Sequence, residues 1–259
     1  MRLLTPLNQY FYDSAYFLKR KNIFITIPFT VSIGRLKIRD EILNIPVFPL
    51  EDDMKGYKIT RDKFLASEEV RQVMVATEEK AIADQYKGRK VWVTRFAVVH
   101  LAFFSGLRVS EIAALKIGDI YLNNRNPFLI VQCGKGGRKR DVYIDKDLLK
   151  HLRDYIETKE KAWGEKVDSD APLFSGIPDK QYTTTALHLS FKRAMENAGL
   201  SDKCSIHGAR HTYATQLLEK CKNIRFVQKQ LGHASLNMTA LYADVLPEKN
   251  ASYANAILD

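Results

Sequence analysis

Two arginines, two histidines and a tyrosine could together act on a phosphate ester: Arg108, His207, Arg210, His233 and Tyr242, in chain order. Guanidinium groups stay charged and present paired donors to phosphate oxygens. Histidine can transfer a proton near neutral pH or donate a hydrogen bond to a phosphate oxygen. A phenol can attack phosphorus if neighbouring groups help to remove its proton, because its ordinary pKa is about 10. The set therefore contains a nucleophile, charge stabilisers and proton carriers.

The predicted local structure brings these side chains to helix ends and shared faces. Arg108 follows a glycine between two predicted helices, where a side chain can project into a cleft. Glu111 lies three residues on, so it is interpreted either as orienting Arg108 or as a capping glutamate. His207 and Arg210 share one face of a predicted helix. His233 follows a glycine at the junction of two further helices.

A glycine-rich turn adds a cluster of basic residues. Residues 128–144 read as two strands joined by Gly134-Lys-Gly-Gly, which predicts a β-hairpin. A lysine at its tip could protonate a leaving oxygen, provided that neighbouring positive charge lowers its pKa. Two lysines are candidates, Lys135 and Lys139. The latter, with Arg138 and Arg140, could instead bind phosphates of a nucleic-acid backbone.

The order Arg…Lys…His-x-x-Arg…His…Tyr resembles the tyrosine recombinase (phage integrase type) family over roughly residues 60–247. The resemblance implies that Tyr242 attacks a DNA phosphodiester and forms a 3′-phosphotyrosyl bond without a metal or other cofactor. It selects Lys135, because the family carries its lysine on such a hairpin turn. It also implies double-stranded DNA as the substrate and a homo-oligomer, a tetramer on DNA. Tyr213 and Tyr253 compete as nucleophiles, but only Tyr242 has the family's spacing to His233.

Other functions remain open at the level of sequence. A type IB topoisomerase would use the same chemistry to relax supercoils, and a non-catalytic relative would only bind DNA. The spacing of Cys204, His207 and His211 could suggest zinc, yet the glutamate of the metalloprotease motif is absent, so no metal is expected. Cys204 and His211 are therefore interpreted as packing or helix-start residues. Three further histidines have no evident partners and are interpreted as structural: His100, His151 and His188.

Composition agrees with a polyanionic partner. The chain of 259 residues carries a formal net charge of +10 and has a pI near 9.4, and excess Lys and Arg favour binding to phosphates. Three cysteines are too few and too scattered for a disulfide framework, which is typical of a reducing compartment. No apolar run is long enough to span a bilayer. We therefore expect a cytoplasmic protein that does not enter a membrane.

The patterns divide the chain into two regions. Residues 1–60 are rich in aromatic and β-branched residues with Pro and Gly, which predicts short strands and turns. The family resemblance implies a DNA-binding domain before the catalytic domain, so this region is interpreted as a reduced, atypical or shortened DNA-binding arm. Residues 61–259 predict a catalytic domain of mainly α, α+β class with one small antiparallel β element. Residues 251–258 form either a short helix or a frayed end. Helices are predicted at residues 67–79, 91–105, 111–115, 147–161, 185–197, 207–220, 224–231 and 235–244.

Overall fold

The computed structural model describes residues 64–122, 125–132, 139–177, 180–201 and 203–243, together with the backbone of four strands nearer the N-terminus. The chain divides into two compact units, Met1–Tyr57 and Lys58–Asp259. In the first unit, two antiparallel pairs are formed by β1 (Tyr16–Arg20) with β2 (Ile23–Ile27) and by β3 (Leu36–Ile38) with β4 (Glu41–Leu43). The predicted boundary at residue 60 and the predicted C-terminal helix lie outside the described residues.

The second unit is mainly helical, as predicted. Its described helices are α1 (Ser67–Tyr86), α2 (Val91–Ser105), α3 (Val109–Ala114), α4 (Lys146–Lys161), α5 (Thr184–Asn197), α6 (Ile206–Cys221), α7 (Ile224–Leu231) and α8 (Asn237–Ala243). A side chain accepts a backbone N–H group at the start of four helices: an aspartate at α4, a threonine at α5, a serine at α6 and an asparagine at α7. These bonds satisfy donors that have no partner inside the helix. Within the described residues, no helix could cross a membrane.

The small β element is an antiparallel sheet of three strands. Its order is β5 (Ile120–Tyr121), β6 (Phe128–Val131) and β7 (Arg140–Tyr143). Val131 pairs with Arg140 at the end of the sheet from which the glycine-rich segment departs. The β6–β7 hairpin agrees with the sequence prediction. Two short strands escaped prediction, β8 (Ser175–Ile177) and β9 (Lys180–Gln181).

Helix α2 forms the centre of the second unit. It packs against α1, α4, α5 and α6, and most of its side chains are buried, including Ala97, Val98 and Leu101. Burying a large apolar side chain contributes roughly 1.5–3 kcal/mol. The helix ends at Gly106, whose φ of 66° is in the left-handed region that glycine adopts without strain. The chain then turns into α3, which starts beside Arg108.

A largely buried histidine pair, of which His100 is buried and His151 half-buried, joins α2 to α4. The Nδ1 atoms of His100 and His151 lie 2.8 Å apart, and Phe96 and Phe104 pack against the two rings. Burial lowers the pKa of His100 to about 4 and, with the neighbouring His100, that of His151 to about 3. Both imidazoles are therefore neutral at pH 7, and one donates to the other. His100 and His151 were interpreted as structural residues, and the structure shows in addition that they are each other's partners.

Candidate active site

The structure brings side chains from the start of α3, from α6, from the α7–α8 connection and from α8 together around the end of α7. Arg108 donates from Nη2 to the carbonyl of Gly232 at 3.4 Å. Arg210 donates from Nη1 to the carbonyl of Gly106 at 2.5 Å and from Nη2 to that of Leu231 at 2.8 Å. The rings of His233 and Tyr242 stack with their centroids 6.1 Å apart. Residues far apart in the chain thus form one cluster.

Glu111 is the acidic centre of this cluster and performs both of the roles considered for it. Its Oε2 accepts the backbone N–H of Arg108 at 2.8 Å, as a helix cap, and its Oε1 accepts from Nη1 of the Arg108 guanidinium at 2.9 Å. Burial opposes ionisation of this carboxyl, whereas Arg140 and Arg108 favour it. The result lowers the pKa of Glu111 to about 2. The carboxylate is therefore charged at neutral pH.

Arg140 lies elsewhere than the sequence suggested. We expected it to contact DNA beside Arg138 and Lys139. Instead, its Nη1 and Nη2 donate to both oxygens of Glu111, at 2.8 and 2.9 Å, and its side chain is only 14% exposed. The physical reason is that the two N–H groups of a guanidinium fit the two oxygens of a carboxylate, and a buried carboxylate needs such charged donors because water cannot reach it. Its neighbour Lys139 is exposed.

The cluster carries an excess of positive charge. Glu111 also lies 4.0 Å from Nη1 of Arg210, so one carboxylate faces three guanidinium groups, those of Arg108, Arg140 and Arg210. Burial, followed by the charge of Arg108, lowers the pKa of Arg210 to about 10. Arg210 therefore stays protonated at neutral pH. A site with this balance attracts an anion.

His233 is buried and neutral. Its Nδ1 lies 2.9 Å from the hydroxyl oxygen of Thr239. Burial, and then the charges of Arg210, Arg108 and Arg140, lower the pKa of His233 to about 3. The contact with Thr239 fixes the orientation of the ring.

Tyr242 extends from α8 into the cluster and is buried. Its hydroxyl lies 3.0 Å from Nδ1 of His211, and its side chain is 3% exposed. The interpretation of His211 as a packing or helix-start residue therefore missed its contact with the tyrosine. A usable signal was present, because His211 lies one helical turn after His207 and so shares its face.

His207 is the exposed histidine of the cluster. Its ring meets that of His211 edge to face, with centroids 4.8 Å apart. Partial burial, and then the charges of Arg210 and Arg108, lower the pKa of His207. An exposed imidazole beside two guanidinium groups can reach a ligand that enters from solvent.

The other predicted positions fall outside the described residues or outside the cluster. Lys135, Arg138 and Tyr253 are not among the described residues. The competing tyrosine Tyr213 packs beneath Gly106, and its hydroxyl accepts from the Gln230 side chain at 2.9 Å. Among the residues that the structure describes, no group of three or more His, Cys, Asp or Glu could hold a metal ion.

Gln230 is a further residue of the site that sequence reasoning missed. Its amide nitrogen donates to the carbonyl of Tyr143 at 2.5 Å, and its amide oxygen accepts the backbone N–H of the same residue at 3.2 Å. These bonds hold strand β7 against α7. A glutamine inside a helix gives no pattern from which such a contact could be predicted.

Comparison with known proteins identifies the family. A family model described as the phage integrase family matches residues 63–249. The chain belongs to this family. Two relatives illustrate the similarity: tyrosine recombinase XerA of Pyrococcus horikoshii is 32% identical over 75% of this chain and 61% of its own length. Tyrosine recombinase XerC of Halalkalibacterium halodurans is 32% identical over 84% of this chain and 69% of its own.

Solved structures show the same fold. The XerH site-specific recombinase bound to difH substrate in a pre-cleavage complex superposes with a TM-score of 0.62 and 25% identity, over 78% of this phage integrase family chain and 56% of that one. The mainly α, α+β prediction is thereby confirmed. The chain spans 61% of the XerA relative and 54% of a XerC relative from Bradyrhizobium diazoefficiens, which is less than two thirds of their lengths.

Proposed function

We propose that this phage integrase family member is a site-specific DNA recombinase that cuts and rejoins strands through a 3′-phosphotyrosyl bond to Tyr242. One observation carries the proposal: Tyr242 lies against His233 and His211, while Arg108 and Arg210 reach the same loop from α3 and α6. Relatives named tyrosine recombinases and a solved recombinase–DNA complex support it.

The two arginines stabilise the transition state. When the oxygen of Tyr242 attacks phosphorus, negative charge grows on the non-bridging oxygens, and Arg108 and Arg210 supply fixed positive charge there. Preorganised groups of this kind are usually the largest contribution to catalysis, with each donor contributing about 100- to 1,000-fold. The buried pairing with Glu111 and with backbone carbonyls means that little reorganisation accompanies the reaction.

The proton transfers are assigned to neighbouring side chains. His211 is 3.0 Å from the Tyr242 hydroxyl and accepts its proton as the bond to phosphorus forms. The bond from phosphorus to the 5′ oxygen breaks, and Lys135 gives that oxygen a proton. His233 is neutral and, with Thr239 donating to its Nδ1, can donate from Nε2 to a phosphate oxygen. His207 makes a similar contact from solvent.

The covalent product explains how a break can be resealed. A phosphotyrosyl ester keeps the energy of the broken bond, so the 5′ hydroxyl of another strand can attack it and release Tyr242. The chemistry needs neither metal nor nucleotide. Double-stranded DNA is the proposed partner, held in part by Arg138 and Lys139, and two duplexes meet in a homotetramer. We place the reaction in the cytoplasm.

A duplex that carries a nick next to the cleavage position tests the nucleophile. Cleavage releases a short fragment, so the protein stays covalently attached and migrates slowly in a denaturing gel. Wild type should form this adduct, and Tyr242→Phe should form none. Tyr213→Phe is the matched control, because it removes a phenol hydroxyl that contacts Gln230 and none of the proposed catalytic side chains. An adduct that survives in Tyr242→Phe would refute the nucleophile.

The arginines require a separate test of cleavage and binding. Arg108→Ala and Arg210→Ala should each abolish the adduct while much of the non-specific DNA affinity remains, because many other basic residues contribute to it. If both variants lose binding and cleavage equally, their catalytic assignment fails. Relaxation of a supercoiled plasmid without a specific site would instead indicate a topoisomerase.

A further inference from the structure

Arg140 is held on three sides inside the cluster. Its fork occupies both oxygens of Glu111, and its Nε lies 3.4 Å from the carbonyl of Gln230. Its stem rests on Gly232, where an added Cβ would lie 2.8 Å from Cδ of Arg140. With a φ of 66°, Gly232 also adopts a backbone conformation that favours glycine. The close approach of this arginine thus depends on the glycine beside it.

The shared carboxylate links Arg140 to Arg108. Arg108 makes one guanidinium bond to Glu111, through Nη1, and directs Nη2 toward Gly232. Arg140 occupies both carboxylate oxygens, so Arg108 is kept from closing a two-pronged pair with Glu111. A guanidinium paired on both prongs would present fewer donors to a phosphate. The Arg108 side chain is the more exposed of the two, 24% against 14%.

We infer that Arg140 is a positioning residue for DNA cleavage: by fixing Glu111, it holds the Arg108 guanidinium toward the scissile phosphate. The inference rests on the proposed function. Arg140 itself touches no reacting atom in this arrangement. Its charge also supports ionised Glu111 against the cost of burial, since its hydrogen bonds are the largest influence that lowers the pKa of that carboxyl. The groups that face the carboxylate are Arg108, Arg140 and Arg210.

The test separates cleavage from binding in the full chain. Single-turnover cleavage of the nicked duplex at saturating DNA gives the rate, and a titration gives the Kd. For Arg140→Gln the rate should fall about 10- to 100-fold, as for other residues that act through a functional side chain. The Kd should change less than about threefold, because no phosphate contact is lost. Arg140→Lys keeps the charge and should recover part of the rate.

The pH dependence of the rate distinguishes positioning from structural support. Without Arg140, the pKa of Glu111 rises, so the acid limb of the profile for Arg140→Gln should move to higher pH. The matched control is Arg71→Gln. It also removes an arginine paired with a glutamate, here Glu68, but the Arg71 side chain is 68% exposed. It should leave the rate and the profile unchanged.

Each alternative has its own signature. A normal rate at saturating DNA with a raised Kd and a weaker salt dependence would make Arg140 a phosphate contact and overturn the inference. A reduced rate with an unchanged pH profile and no recovery in Arg140→Lys would mean that Arg140 only supports the fold, and this too would overturn the inference. If wild type forms no Tyr242-dependent adduct, the proposed function itself fails and this role fails with it.

Discussion

Replacing Glu111 with glutamine should destabilise the second unit strongly at neutral pH. The Glu111 side chain is 3% exposed, and its pKa is lowered to about 2 from an ordinary value of 4.5. A difference of this size corresponds to about 3 kcal/mol of stability. Loss of one partner from a buried ion pair costs a similar amount, about 3–5 kcal/mol.

The pH dependence of this loss follows from the direction of the pKa change. A carboxyl whose pKa is lower in the folded state stabilises the fold above its unfolded pKa. That contribution disappears as the pH falls from about 4.5 to about 2. Glu111→Gln should therefore lose about 3 kcal/mol at pH 7 but only about 1 kcal/mol at pH 3, where the carboxyl of the unfolded wild-type chain is already mostly protonated.

Urea unfolding at the two pH values measures the effect. Both tryptophans, Trp92 and Trp163, belong to the second unit, so their fluorescence reports on the part of the chain that contains the site. Glu157→Gln is the matched control, because its partner Lys161 and the glutamate itself are exposed, and exposed pairs contribute little. Equal losses at pH 7 and pH 3 for Glu111→Gln, or a loss as small as the control's, would refute the reasoning.

Further changes probe the elements that support the site. Gly106→Ala should lower the free energy of unfolding by more than the ~1–2 kcal/mol of left-handed strain, because its Cβ would lie 2.7 Å from Cε1 of Tyr213. Gly88→Ala is the control, because Gly88 has a similar φ but open space around its Cα. Equal losses for the two variants in urea unfolding would contradict this. Burial lowers the pKa of His151 to about 3, so wild-type stability should fall as the pH drops from about 6.5 toward that value, because the unfolded state binds the proton first. His151→Leu should flatten this fall in denaturation midpoints measured across the range, and a fall of unchanged size in this variant would contradict the reasoning.

Local sequence patterns predicted several helix ends well, but they predicted contacts between distant elements poorly. Val91–Ser105 and Ile224–Leu231 were predicted as helices with the bounds that the structure has, because each ends at a glycine that adopts a positive φ. Strands β8 and β9 are too short to leave a pattern. The motif itself could be assembled from spacing, since Arg108, His207, Arg210, His233 and Tyr242 follow the order of the phage integrase family.

The supporting contacts could not be predicted, because they depend on tertiary packing. Arg140 and Glu111 are far apart in the chain, and in sequence Arg140 is indistinguishable from the basic residues beside it. His100 and His151 meet because α2 and α4 pack together. For the same reason, sequence patterns can indicate which charged residues lie near a site, but they rarely show which residues these pair with.

The side chain of Gln230 has a consequence for the behaviour of the protein at high concentration. Strand β7 is an edge of its sheet, and a free edge offers backbone groups to which a strand of another molecule can add. The amide of Gln230 fills one such position, with its nitrogen on the carbonyl of Tyr143 and its oxygen on the N–H. It thus imitates the peptide of a neighbouring strand. The same contact that fixes β7 beside the cluster thus occupies backbone groups of this edge with which a strand of another molecule could otherwise pair.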